Sequence, residues 1–146
     1  MTHADLAYWL LDKETSLEVD QPGLSAAAER VCRKLSGRLS RSISPAGSQA
    51  ILSRALHLAR ADSPFLEGVR AGRPPEACLA ELGEHVQGID IIDVRKGLLG
   101  VLATVLDLLG RFIGEDLMLR LVREVWPDLP ASDSDPSGNA DPTLPA

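Results

Sequence analysis

Three histidines, two cysteines and a scatter of serines and carboxylates are the residues of this chain that could do chemistry, and their spacing gathers none of them into a site. His3, His57 and His85 stand in neither an HExxH nor an HxxxH arrangement. His57 would share a helix face with Arg54, a cationic neighbour that disfavours a metal or haem ligand. Cys32 and Cys78 lie far apart and outside any CxxC motif, which predicts two reduced, buried thiols rather than a disulfide or a metal site. Ser48, within Ala46-Gly47-Ser48-Gln49-Ala50, lacks the glycine spacing of a nucleophile elbow and falls at a helix start, where serine is ordinary. Phosphate loops of the GxxxxGK or GxGxxG kind are missing from the sequence. Glu115 and Asp116 are neighbours in sequence, so their side chains diverge around a helix and cannot work as paired carboxylates. The chain therefore reads as non-enzymatic, with no catalytic, cofactor-binding or metal-binding residue predicted.

The elements around these residues are helical. The stretch from Ile91 to Trp126 carries two apolar rows, Leu98-Val101-Val105-Leu108-Phe112 and Leu99-Leu102-Leu106-Leu109-Ile113, each stepping by three and four. Two adjacent rows make a stripe wide enough for a central helix. The opposite strip includes Gly97, Gly100, Ala103 and Thr104, which lets another backbone approach closely. The uncharged run 97–106 is far shorter than the roughly 18 to 20 residues of a membrane span. At about 1.5 Å per residue a single helix over the whole stretch would reach roughly 54 Å, beyond the roughly 30 to 40 Å of a domain this size. Gly110 and Gly114 therefore predict a break.

Before that helix the chain punctuates itself. Residues 3–13 form a short amphipathic helix carrying Leu6, Trp9 and Leu10, and an acidic connector ends at Gln21-Pro22-Gly23. An amphipathic basic helix then buries Leu24, Ala28, Val31, Leu35 and Leu39, with Ile43 continuing the row. Ser44-Pro45 and Ser63-Pro64 are two start signals, each pairing an N-cap serine with a proline suited to the first helical position. Residues 76–86 read as a further helix. Asp90 is the N-cap of the apolar helix, with Ile89 and Val94 as a hydrophobic staple and Asp93 completing a capping box. Residues 127–146 are rich in Pro, Asp, Ser, Gly and Ala and are predicted to be disordered. The expectation is an all-α fold: a compact bundle of four to six helices with a long apolar C-terminal helix and a disordered acidic tail. Its parts would be 1–22 (short helix and connector), 23–126 (the bundle) and 127–146 (the tail).

Composition narrows the function. With 45% hydrophobic residues the chain can fill one core. Its aromatics are only Tyr8, Trp9, Phe65, Phe112 and Trp126, so stacking platforms for bases or sugars are nearly lacking. The net charge is −6, yet residues 30–60 hold seven basic side chains and no acidic one. Overall acidity opposes nucleic acid. The cationic face of the basic helix, Arg30, Lys34, Arg38 and Arg41, is the candidate surface for an acidic protein partner, set against neutralisation by the chain's own carboxylates. On the long helix, Leu102, Leu106, Leu109 and Ile113 are the candidate self-association surface of a homodimer. The N-terminal segment has no basic leader, which predicts a cytoplasmic protein.

Asp93-Val94, Gly97-Leu98, Thr104-Val105 and Asp107-Leu108-Leu109 resemble a helix of the gas-vesicle protein K family, small helical accessory proteins of vesicle assembly. The resemblance implies an accessory role in assembly, and the chain departs from it where Gly114-Glu115-Asp116 replaces an Arg-rich continuation. The sequence thus supports a helical regulatory or assembly module acting by protein–protein contact. The alternatives are a helical sensor enclosing a small apolar or haem-like ligand and the gas-vesicle-type accessory protein.

Overall fold

The first helix is started by a device the chain carries at its very beginning. In the computed structural model, which describes residues 2–15, 20–72 and 78–129, Thr2 and Asp5 form a reciprocal capping box: the Thr2 hydroxyl accepts from Asp5 N at 3.0 Å and Asp5 Oδ2 accepts from Thr2 N at 3.2 Å. Helix α1 (His3–Glu14) follows. Leu6, Leu10 and Leu11 are buried along it.

Helix α2 (Gln21–Leu39) takes in Gln21-Pro22-Gly23, expected as the end of the connector, because Asp20 caps Gly23 N at 2.7 Å and Pro22 fits the first turn. Its row Leu24, Ala28, Val31, Leu35 and Leu39 is buried as the periodicity predicts, and Ile43 is buried beyond the helix end. Helix α3 (Pro45–Ala59) starts at Ser44, whose hydroxyl accepts from Gly47 N at 3.1 Å. Here the start signal and the structure agree.

The stretch after α3 differs from expectation. Pro64 to Gly68 make a 3-10 turn, and Ser63 is buried without capping it. Arg70–Ala71 (β1) pairs antiparallel with Leu79–Ala80 (β2). Of the predicted helix 76–86 only α4 (Leu82–His85) is helical, and residues 76 and 77 lie outside the described residues. The cause is a carboxylate from elsewhere: Glu29 on α2 accepts from Cys78 N at 2.6 Å and Leu79 N at 2.8 Å, which holds this backbone extended.

Helix α5 (Ile91–Ile113) is the axis of the fold, packed against α1, α2, α3 and α6. Asp90 caps it by accepting from Ile92 N at 2.9 Å; the bond goes to the second helical residue, and Asp93 does not close a capping box. The helix stops at Gly114, whose φ of +96° is open to glycine at little cost. Helix α6 (Glu115–Val125) turns back from there, burying Met118, Leu121 and Val122. Trp126 and Leu129 are buried after it, so the core continues past the expected boundary at residue 126. The tail expected to be disordered lies, from residue 130 on, outside the described residues. The fold is thus an all-α bundle, and no helix among the described residues is long and apolar enough to cross a membrane.

The two glycines on the opposite strip of α5 have different surroundings. A Cβ on Gly97 would stand 2.6 Å from the Phe65 ring and 3.1 Å from Ser63 Cβ, whereas one on Gly100 would meet nothing within 4 Å. Gly100→Ala is therefore expected to raise stability by about 0.5–1 kcal/mol through helix propensity. Gly97→Ala should lower it by about 1 kcal/mol or more, since overpacking outweighs the same gain. Thermal unfolding of the two variants checks the contrast, and equal shifts would refute the close approach at Gly97.

Candidate functional site

The basic face of α2 is largely engaged within the chain. Lys34 Nζ lies 2.6 Å from Glu14 Oε2, and Arg30 reaches both the Glu14 carboxylate and its backbone carbonyl. Arg38 clasps Glu124 of α6 at 2.7 Å through Nε. Arg41 is exposed with no ion pair among the described residues. Glu14 is the hub of this network: its side chain is 9% exposed, and it also accepts from the Trp126 indole at 2.8 Å. Burial pushes its carboxyl up, but the hydrogen bonds from Lys34 and Trp126 and the charges of Lys34 and Arg30 outweigh that and hold it below the usual carboxylate range. Three of the four residues taken as a partner surface therefore tie α2 to α1 and α6. An acidic partner would have to displace carboxylates that are already in place.

The self-association set is corrected more sharply. Leu102, Leu106 and Leu109 are each 1% exposed and sit in the chain's own core, covered by the helices around α5, and Ile113 is half-buried. One chain covers the stripe that was expected to need a second. What it leaves uncovered is the end of the other row: Leu108 is half-buried and Phe112 is 64% exposed.

Phe112 borders an open groove of about 340 Å³ between α3 and α5, lined by Ala50, Ile51, Arg54, Leu108 and Arg111. Leu58, one turn beyond Arg54 on α3, is also exposed. Two arginines flank it. Among the described residues Arg54 has no ion pair, and Arg111 pairs only with Asp107 one turn earlier, at 3.1 Å, the two side chains 77% and 45% exposed. An exposed pair of this kind is worth little and exchanges readily. Asp107 and Glu115 also hold His3, at 3.5 Å and 3.1 Å, which pins α1 to the α5–α6 corner and leaves the groove mouth open. The groove thus offers an apolar floor, an aromatic rim and two cations, and among the described residues no acidic side chain lines it.

The remaining residues with chemical potential are dispersed. Ser48 is half-buried on α3, His57 is exposed on the same helix, and His85 faces Gly68 and Glu81. Among the described residues no group of three His, Cys, Asp or Glu is placed to hold a metal ion. Cys32 and Cys78 are free and buried as expected, and the fold brings them near each other. Burial, with the neighbouring thiol and Glu29, pushes the Cys32 thiol up; burial and Glu29 do the same to Cys78, which makes both poor nucleophiles.

No family model, curated protein or solved structure matches the chain. The resemblance of residues 93–109 to the gas-vesicle protein K family therefore gains no support from whole-chain comparison, and geometry alone carries the functional argument.

Proposed function

We propose that the protein is a non-enzymatic regulatory or assembly module that docks an acidic, amphipathic helix of a protein partner in the groove between α3 and α5. The observation that carries this reading is Phe112, which leaves the core row of α5 and stands 64% exposed between Arg54 and Arg111. A large aromatic beside an open apolar groove is the kind of anchor that dominates helix-in-groove interfaces. The arginines favour carboxylates at the partner's rim, and they do so in a chain whose net charge of −6 otherwise repels acidic molecules. The free, buried cysteines suit a reducing compartment such as the cytoplasm.

The test titrates the full chain with a synthetic amphipathic helix bearing leucine on one face and glutamate on the other, followed by amide NMR. Shifts are expected at Ala50, Ile51, Arg54, Leu108 and Arg111, and Phe112→Asp should weaken binding by about tenfold or more, as loss of a central anchor does. A peptide with lysine in place of glutamate should bind more weakly. Shifts centred on Arg41 and the α2 face, or equal binding of both peptides, would overturn the proposal. Self-association through the same groove is the competing use of Phe112. Light scattering across micromolar concentrations separates it, since only a second copy would make the mass depend on protein concentration and on Phe112.

A further inference from the structure

On a neighbouring face of α3 the structure holds a cation that its own carboxylates do not neutralise. Arg60 ends α3 and lines a cleft of about 420 Å³ together with Gln49, Ser53 and Arg70. Its Nε is fully buried and makes no hydrogen bond, which no other buried side-chain nitrogen or oxygen among the described residues shares. Its Nη2 reaches only the Val69 carbonyl, at a long 3.4 Å. Among the described residues Arg60 has no acidic partner and no acidic side chain lines the cleft. Elsewhere the chain treats its partly buried cations differently: Arg38 is clasped by Glu124, and Lys34 and Arg30 by Glu14.

Arg60 is half-buried with no carboxylate against it among the described residues, and the planar fork of donors of a guanidinium matches a carboxylate or a phosphate. Arg60 also stands at the C-terminal end of α3, where the helix dipole favours a cation. Arg70 supplies a second cation at the cleft, held by Glu81 at 2.7 Å in an exposed pair that can exchange. Ser53 adds a hydroxyl, and Ala46, Ala50 and Ala71 leave a small-residue wall where a larger side chain would fill the space.

We infer that this cleft binds a small organic oxyanion, its carboxylate or phosphate on the Arg60 guanidinium and its body against the alanine wall. The cleft volume falls within the roughly 300–1,000 Å³ of small-molecule sites. The site shares only Ala50 with the α3/α5 groove, and either can stand without the other.

The experiment follows the Arg60 Nε–Hε resonance and the melting temperature of the full chain in chloride, inorganic phosphate, acetate and benzoate at equal ionic strength. One oxyanion series is expected to shift the Arg60 resonance saturably and raise the melting temperature above that in chloride. The phosphate arm and the carboxylate arms identify the head group, and benzoate exceeding acetate identifies the apolar wall. Arg60→Gln should abolish the anion-dependent part while the variant stays folded, because it removes an uncompensated charge and keeps most of the side-chain length. An Arg60 resonance that moves no more in any oxyanion than in chloride would overturn the site. So would a stabilisation of the same size in Arg60→Gln.

Discussion

Replacing Leu109 by glutamate is expected to unfold the protein, not to release a partner. Leu109 is 1% exposed, on the core face of α5 with Val105 and Leu106. Removing its side chain alone, as in Leu109→Ala, should lower stability by about 2–5 kcal/mol. A carboxylate at the same point has no cation to meet and adds several kcal/mol more, against a total of about 5–15 kcal/mol for a domain of this size. Far-ultraviolet circular dichroism of the glutamate variant should show lost helicity, and denaturant unfolding of the alanine variant should show a reduced midpoint. A Leu109→Glu protein that keeps its helicity and only changes its mass in light scattering would return this row to a subunit interface.

Removing the Glu14 carboxylate has the next largest expected effect. It leaves the Trp126 indole without its acceptor and Lys34 and Arg30 without their counter-ion, and it loosens α1 from α2 and from Trp126. Lys34 and Arg30 keep much of their surface in water, so the loss lies below that for a fully buried pair, and Glu14→Ala should cost about 2–3 kcal/mol near pH 7. The pH dependence has a definite sign. Because the folded carboxyl titrates below its unfolded value, its stabilisation is complete above the unfolded carboxylate range, near about 4.3. It is lost as pH falls through the lower folded value. The stability gap between the natural chain and Glu14→Gln should therefore be widest at pH 6–7 and shrink on acidification below roughly pH 4. A gap that stays constant over that range would mean that packing, not charge, is what Glu14 contributes.

Where the sequence could be read, the signal was local. Ser44-Pro45, Asp90 and the three-four rows of α2 and α5 announce their helices because caps and periodicity act within one or two turns. The break at Gly114 was legible for the same reason. The Thr2–Asp5 capping box was equally local, and its Thr-x-x-Asp spacing was a usable signal that went unread. What stayed hidden depends on partners far along the chain. Glu29 reaches Cys78 across 49 positions and turns an expected helix into an extended segment. The basic run on α2 is plain in the sequence, but its neutralisation is not, because Glu14 and Glu124 lie 20 and 86 positions from Lys34 and Arg38. Phe112 continues the apolar row without interruption. It is nonetheless 64% exposed, and periodicity carries no information about which part of a row a neighbour covers. Arg54 and Arg60 belong to the same acid-free run as Arg30 and Lys34, and the fold alone separates the arginines that lack a carboxylate from those that have one.

Co-purification from native cells with face-specific variants tests the central claim, that the α3/α5 groove and not the α2 basic face meets the partner. The natural chain, Arg54→Glu/Phe112→Asp, and Arg38→Glu/Arg41→Glu would be compared at equal helicity, with captured proteins identified and the cross-linked residues mapped. A partner whose acidic amphipathic helix cross-links to α3 and α5, retained by the α2 variant and lost by the groove variant, is the predicted result. A partner lost by the α2 variant and retained by the groove variant would contradict it.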